Sequence, residues 1–314
     1  MRIREIDIFR GVTIVLMVFF SIICRLSRSL PDALIHNIPN SLHTGDLVLP
    51  MFLFASGMSI VFFAEKHGKR GKKEYVLDII ERFGMLAGIA ILLSVFSGGG
   101  FFEMDELMLS AILFLVSILL VGFSEIMIFA VMLLVFLIYF VLQNFSLLPD
   151  FSLHYLGGYR AAIFYLPVML GGIVAAKRLG DIEKLILFAT VCTILLFVVS
   201  PPYKMSVEPG FMALSVLVSL VVFYLVRQIQ SNYPGIAYLE YLGRKPLRYW
   251  VLMFLVLIVP MAFYGIYTEE GLPLQFGWIE ALILSFASLG LLYGVSKMID
   301  FVEARTHKKV NKGG

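Results

Sequence analysis

Residues 36–59, HNIPNSLHTGDLVLPMFLFASGMS, decide how this chain is read. His36, Asn37, Asn40, Ser41, His43, Thr44 and Asp46 are crowded together, and from Leu47 a nearly uncharged apolar run follows. Polar chemistry is held at the mouth of a membrane helix. The null alternative is ordinary helix chemistry, because Thr44 and Asp46 suit a cap and a first-turn acid, and loop histidines are commonly just solvated.

The rest of the chain places that stretch in a membrane protein. With 60% hydrophobic and 15% charged residues and a mean hydropathy of +0.93, it is far more apolar than a soluble domain. A net charge of +3 gives no basis for nucleic-acid binding. Cys24 and Cys192 make neither a CxxC pair nor a metal spacing, so no disulfide framework and no metal site are expected.

A hydrocarbon core takes roughly 20 helical residues to cross. Unbroken apolar runs of about that length predict helices near Ile6–Cys24, Leu47–Ala64, Val76–Phe96, Leu107–Phe123, Ile126–Phe145, Ala161–Ala176, Leu185–Ser200, Phe211–Val226, Leu247–Tyr267 and Leu274–Val295. The expected fold is all-α, a polytopic transmembrane bundle of about ten helices forming a single domain over residues 1–314. Gly98–Gly100, Pro201–Pro202 and the Gly243–Pro246 segment read as loop punctuation. The first run is read as a retained helix rather than a signal peptide, since Asp7 and Arg10 interrupt its start and no small-residue cleavage site follows Cys24. Of the 25 lysines and arginines, all but Arg25, Arg28, Arg160 and Lys204 fall on one side of these spans. The positive-inside rule then puts both termini in the cytoplasm and the His36 loop outside.

Two further constellations carry charge. In RIREIDIFRG, Arg4, Asp7 and Gly11 share a helical face beside Arg10, at a depth where charge is costly unless paired or used. An Asp7–Arg10 pair beside cytoplasmic anchors explains this as well as anion recognition does. Gly243-Arg244-Lys245-Pro246-Leu247-Arg248-Tyr249 opens the ninth run and reads either as an anion site at a helix start or as topology anchoring. Glu280, inside the last run, is expected to face the bundle, and His154, Tyr155, Tyr159 and Arg160 stand outside the sixth helix.

These elements together resemble the membrane-bound acyltransferases that include heparan-α-glucosaminide N-acetyltransferase and the YeiB-like bacterial proteins. An R-x-x-x-D-x-x-R-G-like element is carried by Arg4, Asp7, Arg10 and Gly11, whose spacing here is R-x-x-D-x-x-R-G. An ADLVFPWFLF-like helix preceded by a histidine loop matches at His36, Asn40, Asp46, Leu47, Val48, Pro50, Phe52, Leu53, Phe54, Gly57 and Ser59. An LGR-x-x-L-x-x-Y-like element lies around Arg244. The chain departs from the heparan-modifying branch at Ser21, Pro39, Met51 and Met104–Leu109, which leaves the acceptor open.

The resemblance implies a membrane-bound, acetyl-CoA-dependent acyltransferase. It would move an acyl group from cytoplasmic acyl-CoA, as co-substrate, to an extracytoplasmic amino sugar, glycan or similar acceptor. It implies His36 as base or acyl carrier, with Asn40 and Asp46 beside it, and Arg4, Asp7, Arg10, Arg244, Lys245 and Arg248 as the CoA-binding set. The expected partners are acyl-CoA, the sugar acceptor and membrane lipid, with a homodimer left open. A transporter or flippase lining a pathway with the same polar patches, or a non-catalytic relative, is the alternative. No convincing repeated half, common in transporters, is present in the sequence.

Overall fold

The computed structural model describes residues 3–27, 29–35, 38, 41–68, 71–96, 106–145, 147, 162–204, 207–229, 233–263 and 276–310, with backbone alone at 33, 96, 144, 262–263 and 306–310. Among them the fold is all-helical. The helices are α1 (Arg4–Leu26), α2 (Val48–His67), α3 (Lys72–Phe96), α4 (Glu106–Leu120), α5 (Glu125–Asn144), α6 (Leu166–Lys177), α7 (Ile182–Val199), α8 (Pro209–Gln228), α9 (Pro234–Arg244), α10 (Pro246–Leu252) and α11 (Trp278–Val310). Six helical stretches are long and apolar enough to cross a membrane: Arg4–Leu26, Thr44–His67, Glu125–Gln143, Leu179–Val199, Pro209–Gln228 and Trp278–Arg305. Glu106–Leu120, Ala162–Lys177 and Pro246–Met261 are shorter apolar helices. Backbone groups in lipid must be satisfied within the segment, which is why apolar runs of this length become helices.

The centre of the bundle is α1, α2 and α6. Phe9, Ile14, Ile22, Ile23, Leu53, Phe54, Met58 and Ile173 are fully buried there, and Phe9 sets its ring edge-on against both Phe54 and Phe223. Leu133, Leu134 and Ile126 of α5 and Leu187, Leu195 and Val198 of α7 are exposed, as lipid-facing positions should be.

Helix crossings are set by glycine. A Cβ at Gly57 would collide with the backbone carbonyl of Met169, and one at Gly172 with that of Phe54, so α2 and α6 cross backbone against backbone. A Cβ at Gly11 would strike the Leu239 carbonyl and one at Gly243 the Asp7 carbonyl, which locks α9 onto α1 in the same way. Small residues at such contacts are the usual device for packing helices in lipid, where no hydrophobic gain separates helix from hydrocarbon.

Two features differ from the sequence reading. The Gly243–Pro246 segment does break the chain's helices, at Lys245 between α9 and α10, but Gly243 itself lies in the last turn of α9, an amphipathic helix of 11 residues that hydropathy did not reveal. Glu280 was expected to face the bundle and is instead exposed. The helix starts at Trp278 rather than Leu274, so Glu280 is a first-turn carboxylate at a positive helix end. After α10 the helix widens into a π stretch, Met253–Ile258, and resumes over Val259–Phe263. Pro260 lacks the N–H a regular turn would require and its ring crowds the preceding carbonyl, a physical reason for the widening.

Candidate active site

The Arg4–Gly11 and Arg244 elements are brought together by the α1–α9 crossing. Asp7, fully buried in the first turns of α1, pairs with Arg10, and Arg244 approaches its other carboxylate oxygen at 4.0 Å. Glu240, one turn before Arg244 on α9, takes Arg4 at 2.9 Å and also Arg244. Burial pushes the Glu240 carboxyl upward, but the hydrogen bonds and charges of Arg4 and Arg244 prevail and hold it below the usual carboxylate value. Lys245 and Arg248 turn toward α11. Asp300 pairs with Lys245 and lies 2.5 Å from Arg248, Glu303 lies 3.0 Å from Arg248, and the Tyr241 hydroxyl donates to Asp300 at 2.7 Å. All six expected CoA-binding residues thus stand in one charged belt, each beside a carboxylate or guanidinium.

This belt opens on a cavity of about 510 Å³. Arg10, Arg244, Lys245 and Arg248 line one end with His67, Asp78, Glu81 and Arg82, and the wall continues along Phe63, Ser59, Ser56 and Phe52 of α2 with Ser110 and Leu107 of α4. Fifteen residues separate His67 from Phe52, so at about 1.5 Å per residue some 22 Å of α2 borders the cavity. Its polar end is structured. His67 pairs with Asp78 and stacks on the Phe63 ring at 4.5 Å.

Beyond Phe52, at the opposite end of α2, lies a second buried polar cluster. Asp46 is fully buried and accepts the His43 backbone N–H at 2.9 Å, with the His43 ring nitrogen 3.7 Å away. Ser41 lies 3.3 Å from the same ring nitrogen. Asp46 is thus the first-turn acid expected, although the cap it reaches back to is His43 rather than Thr44, and this role coexists with an ion pair: Lys204 Nζ stands 3.5 Å from the other Asp46 oxygen. Lys204 is 4% exposed. Burial depresses its ammonium below the usual lysine value, and the charges of Asp46 and Glu106 oppose that only in part. The turn that carries it holds Val207, a buried β-branched residue, at φ 51°, a conformation that such a side chain resists. Nearby, Tyr165 Oη is buried with no hydrogen-bond partner among the described residues.

His36 and Asn40 lie outside the described residues, as do His154, Tyr155, Tyr159 and Arg160. Asp46 is described, and its neighbours are His43 and Lys204. Sequence reasoning missed Lys204, Tyr165 and Arg82. The two cations had been counted only as topology signals, and Tyr165 is one of 14 tyrosines with nothing in its local sequence to mark it. No cluster of metal-ligating side chains is present among the described residues.

The helix α2 thus has a charged, cavity-lining end and a buried polar cluster at its other end. No individual curated protein matches the chain. The model of the heparan-α-glucosaminide N-acetyltransferase catalytic domain matches residues 2–254, which include every element of both clusters except the carboxylates of α11. The chain is an integral membrane protein of the heparan-α-glucosaminide N-acetyltransferase catalytic family.

Proposed function

We propose that this protein transfers an acyl group, acetyl being the simplest, from acyl-CoA in the cytoplasm to an amino or hydroxyl group of an extracytoplasmic sugar or glycan. The observation that supports it is the cavity itself. It begins among Arg10, Arg244, Lys245 and Arg248 and runs along α2 to Phe52, about 9 Å of helix short of Asp46. A nucleotide head held by charge-assisted hydrogen bonds at the basic end leaves a pantetheine arm to follow the apolar wall. The remaining apolar helices complete a bundle of about ten, with both termini and the basic end in the cytoplasm.

In this reading the acceptor amine or hydroxyl attacks the thioester carbonyl and the imidazole of His36 takes its proton. A new amide or ester bond forms, the C–S bond breaks, and CoA leaves as the thiolate toward the basic end. Asn40 stabilises the oxyanion, while Asp46, held by Lys204 and the His43 N–H, fixes the start of α2 beneath the loop.

The experiment is vectorial. Vesicles containing the purified protein are loaded with radiolabelled acetyl-CoA and offered glucosamine outside. Label on the external sugar is the expected result when the inserted orientation puts the basic end inside. Transfer only when both substrates share one compartment overturns the reading.

A further inference from the structure

Arg82 differs from every other cation around the cavity. It sits on α3 ten residues past Lys72, about 15 Å along the helix from its start, and its guanidinium lies over the rings of Phe63 at 5.1 Å and Phe114 at 5.6 Å. Arg10 has Asp7, Arg4 and Arg244 have Glu240, and Lys245 and Arg248 have Asp300. Arg82 makes no hydrogen bond or ion pair to a carboxylate among the described residues, and it shares the wall of the cavity with Arg10, a like charge. Asp78, one turn before it, is engaged by His67.

Two aromatic rings hold this guanidinium by their faces, which orients it and leaves its N–H edge for a ligand. A largely desolvated guanidinium on the same cavity wall as a like charge is expensive in the empty protein. The arrangement becomes favourable when an anion with several oxygens lies between the two guanidiniums, because Arg82 can donate two parallel N–H bonds to it while Arg10, held by Asp7, adds its positive charge. We propose that Arg82 and Arg10 together form the anion-binding seat of the cavity and take a phosphate or diphosphate group. This rests on the reading above, in which that group is the diphosphate of acyl-CoA. Lys245 and Arg248, already neutralised by α11, then contribute less to its binding than Arg82 does.

The test uses the full chain in nanodiscs of zwitterionic lipid, titrated calorimetrically with CoA, inorganic pyrophosphate and pantetheine. Arg82→Gln is expected to weaken CoA and pyrophosphate about tenfold or more, to leave pantetheine unchanged, and to melt no lower than wild type without ligand, since a repulsion has been removed. Arg82→Lys should recover part of the affinity. Unchanged pyrophosphate affinity in Arg82→Gln, or a lower melting temperature with all three ligands equally weakened, overturns the seat. Pyrophosphate binding that depends on Arg82 in a protein that does not bind CoA keeps the seat and removes the acyl-CoA reading. Retention of phosphatidate that depends on Arg82 in native mass spectra, again without CoA binding, assigns the phosphate to a lipid headgroup. CoA binding indifferent to Arg82 overturns the seat and keeps the acyl-CoA reading.

Discussion

Gly243 lies directly against the backbone carbonyl of Asp7, and that contact holds the two basic elements of the chain at one place. It lets α9 approach α1 closely enough for Arg244 to reach the carboxylate that already pairs with Arg10. The anion-binding grip proposed for the cavity therefore depends on a missing side chain.

Gly243→Ala and Gly11→Ala should each lower stability by about 1–3 kcal/mol, because a methyl group at either site meets backbone that cannot move away on its own. Gly84→Ala on α3, where a Cβ meets nothing within 4 Å, should be neutral or stabilising. Thermal unfolding of the three variants in one detergent checks this. Equal behaviour of all three would refute the crossing argument.

The Lys204–Asp46 pair should be costly to break and cheap to replace as a whole. Lys204→Met leaves a buried carboxylate short of its cation and should cost about 3–5 kcal/mol. The double variant Lys204→Met with Asp46→Asn should recover most of that loss. A double-mutant cycle on melting data gives the coupling, and additive losses would show that the pair is not an energetic unit.

Glu240 gives the α1–α9 junction a defined response to acid. Its carboxyl titrates below 4.5 in the folded protein, so its ionised form contributes stability that is fully present above about pH 4.5 and is lost as pH falls through the depressed value. Compared with Glu240→Gln, wild type should be the more stable at pH 6–7, and its advantage should shrink on acidification. Melting temperatures of both proteins from pH 7 down to pH 3 test the sign.

Asp300 belongs to α11, outside the family-matched segment, and it holds both Lys245 and Arg248. Asp300→Asn should release these cations and raise the affinity for inorganic pyrophosphate several-fold at low salt, with a steeper decline as salt is added. Calorimetry at 50 and 300 mM salt distinguishes this from a purely structural role, in which affinity falls at both.

His36 and His43 separate by activity. Under the proposed chemistry His36→Ala should lower transfer by about 10² or more while CoA binding persists. His43→Ala should act mainly through the start of α2, where its backbone N–H, kept in the variant, caps Asp46. Equal losses of transfer in the two variants would remove His36 from the chemistry.

Hydropathy alone located the apolar helices, because a segment long enough to cross hydrocarbon must satisfy its own backbone and so betrays itself in composition. The family was legible for a related reason, since Arg10, Gly11, His36, Asp46 and Arg244 lie in short contiguous motifs. What sequence could not supply was the set of partners. Amphipathic α9 is too short and too polar to be seen as a span, and only its contact with Gly11 shows why Gly243 belongs to that helix rather than to the break after it. Lys204 and Arg82 read as topology charges because the positive-inside rule counts a cation without knowing its depth. The folded chain buries Lys204 against Asp46 and sets Arg82 over two aromatic rings on the cavity wall it shares with Arg10. Asp300 is remote in sequence from the lysine and arginine it neutralises. Which charges are paired and which are left for a ligand is fixed by helix crossings between segments far apart along the chain, and such contacts leave no periodic trace in any one of them.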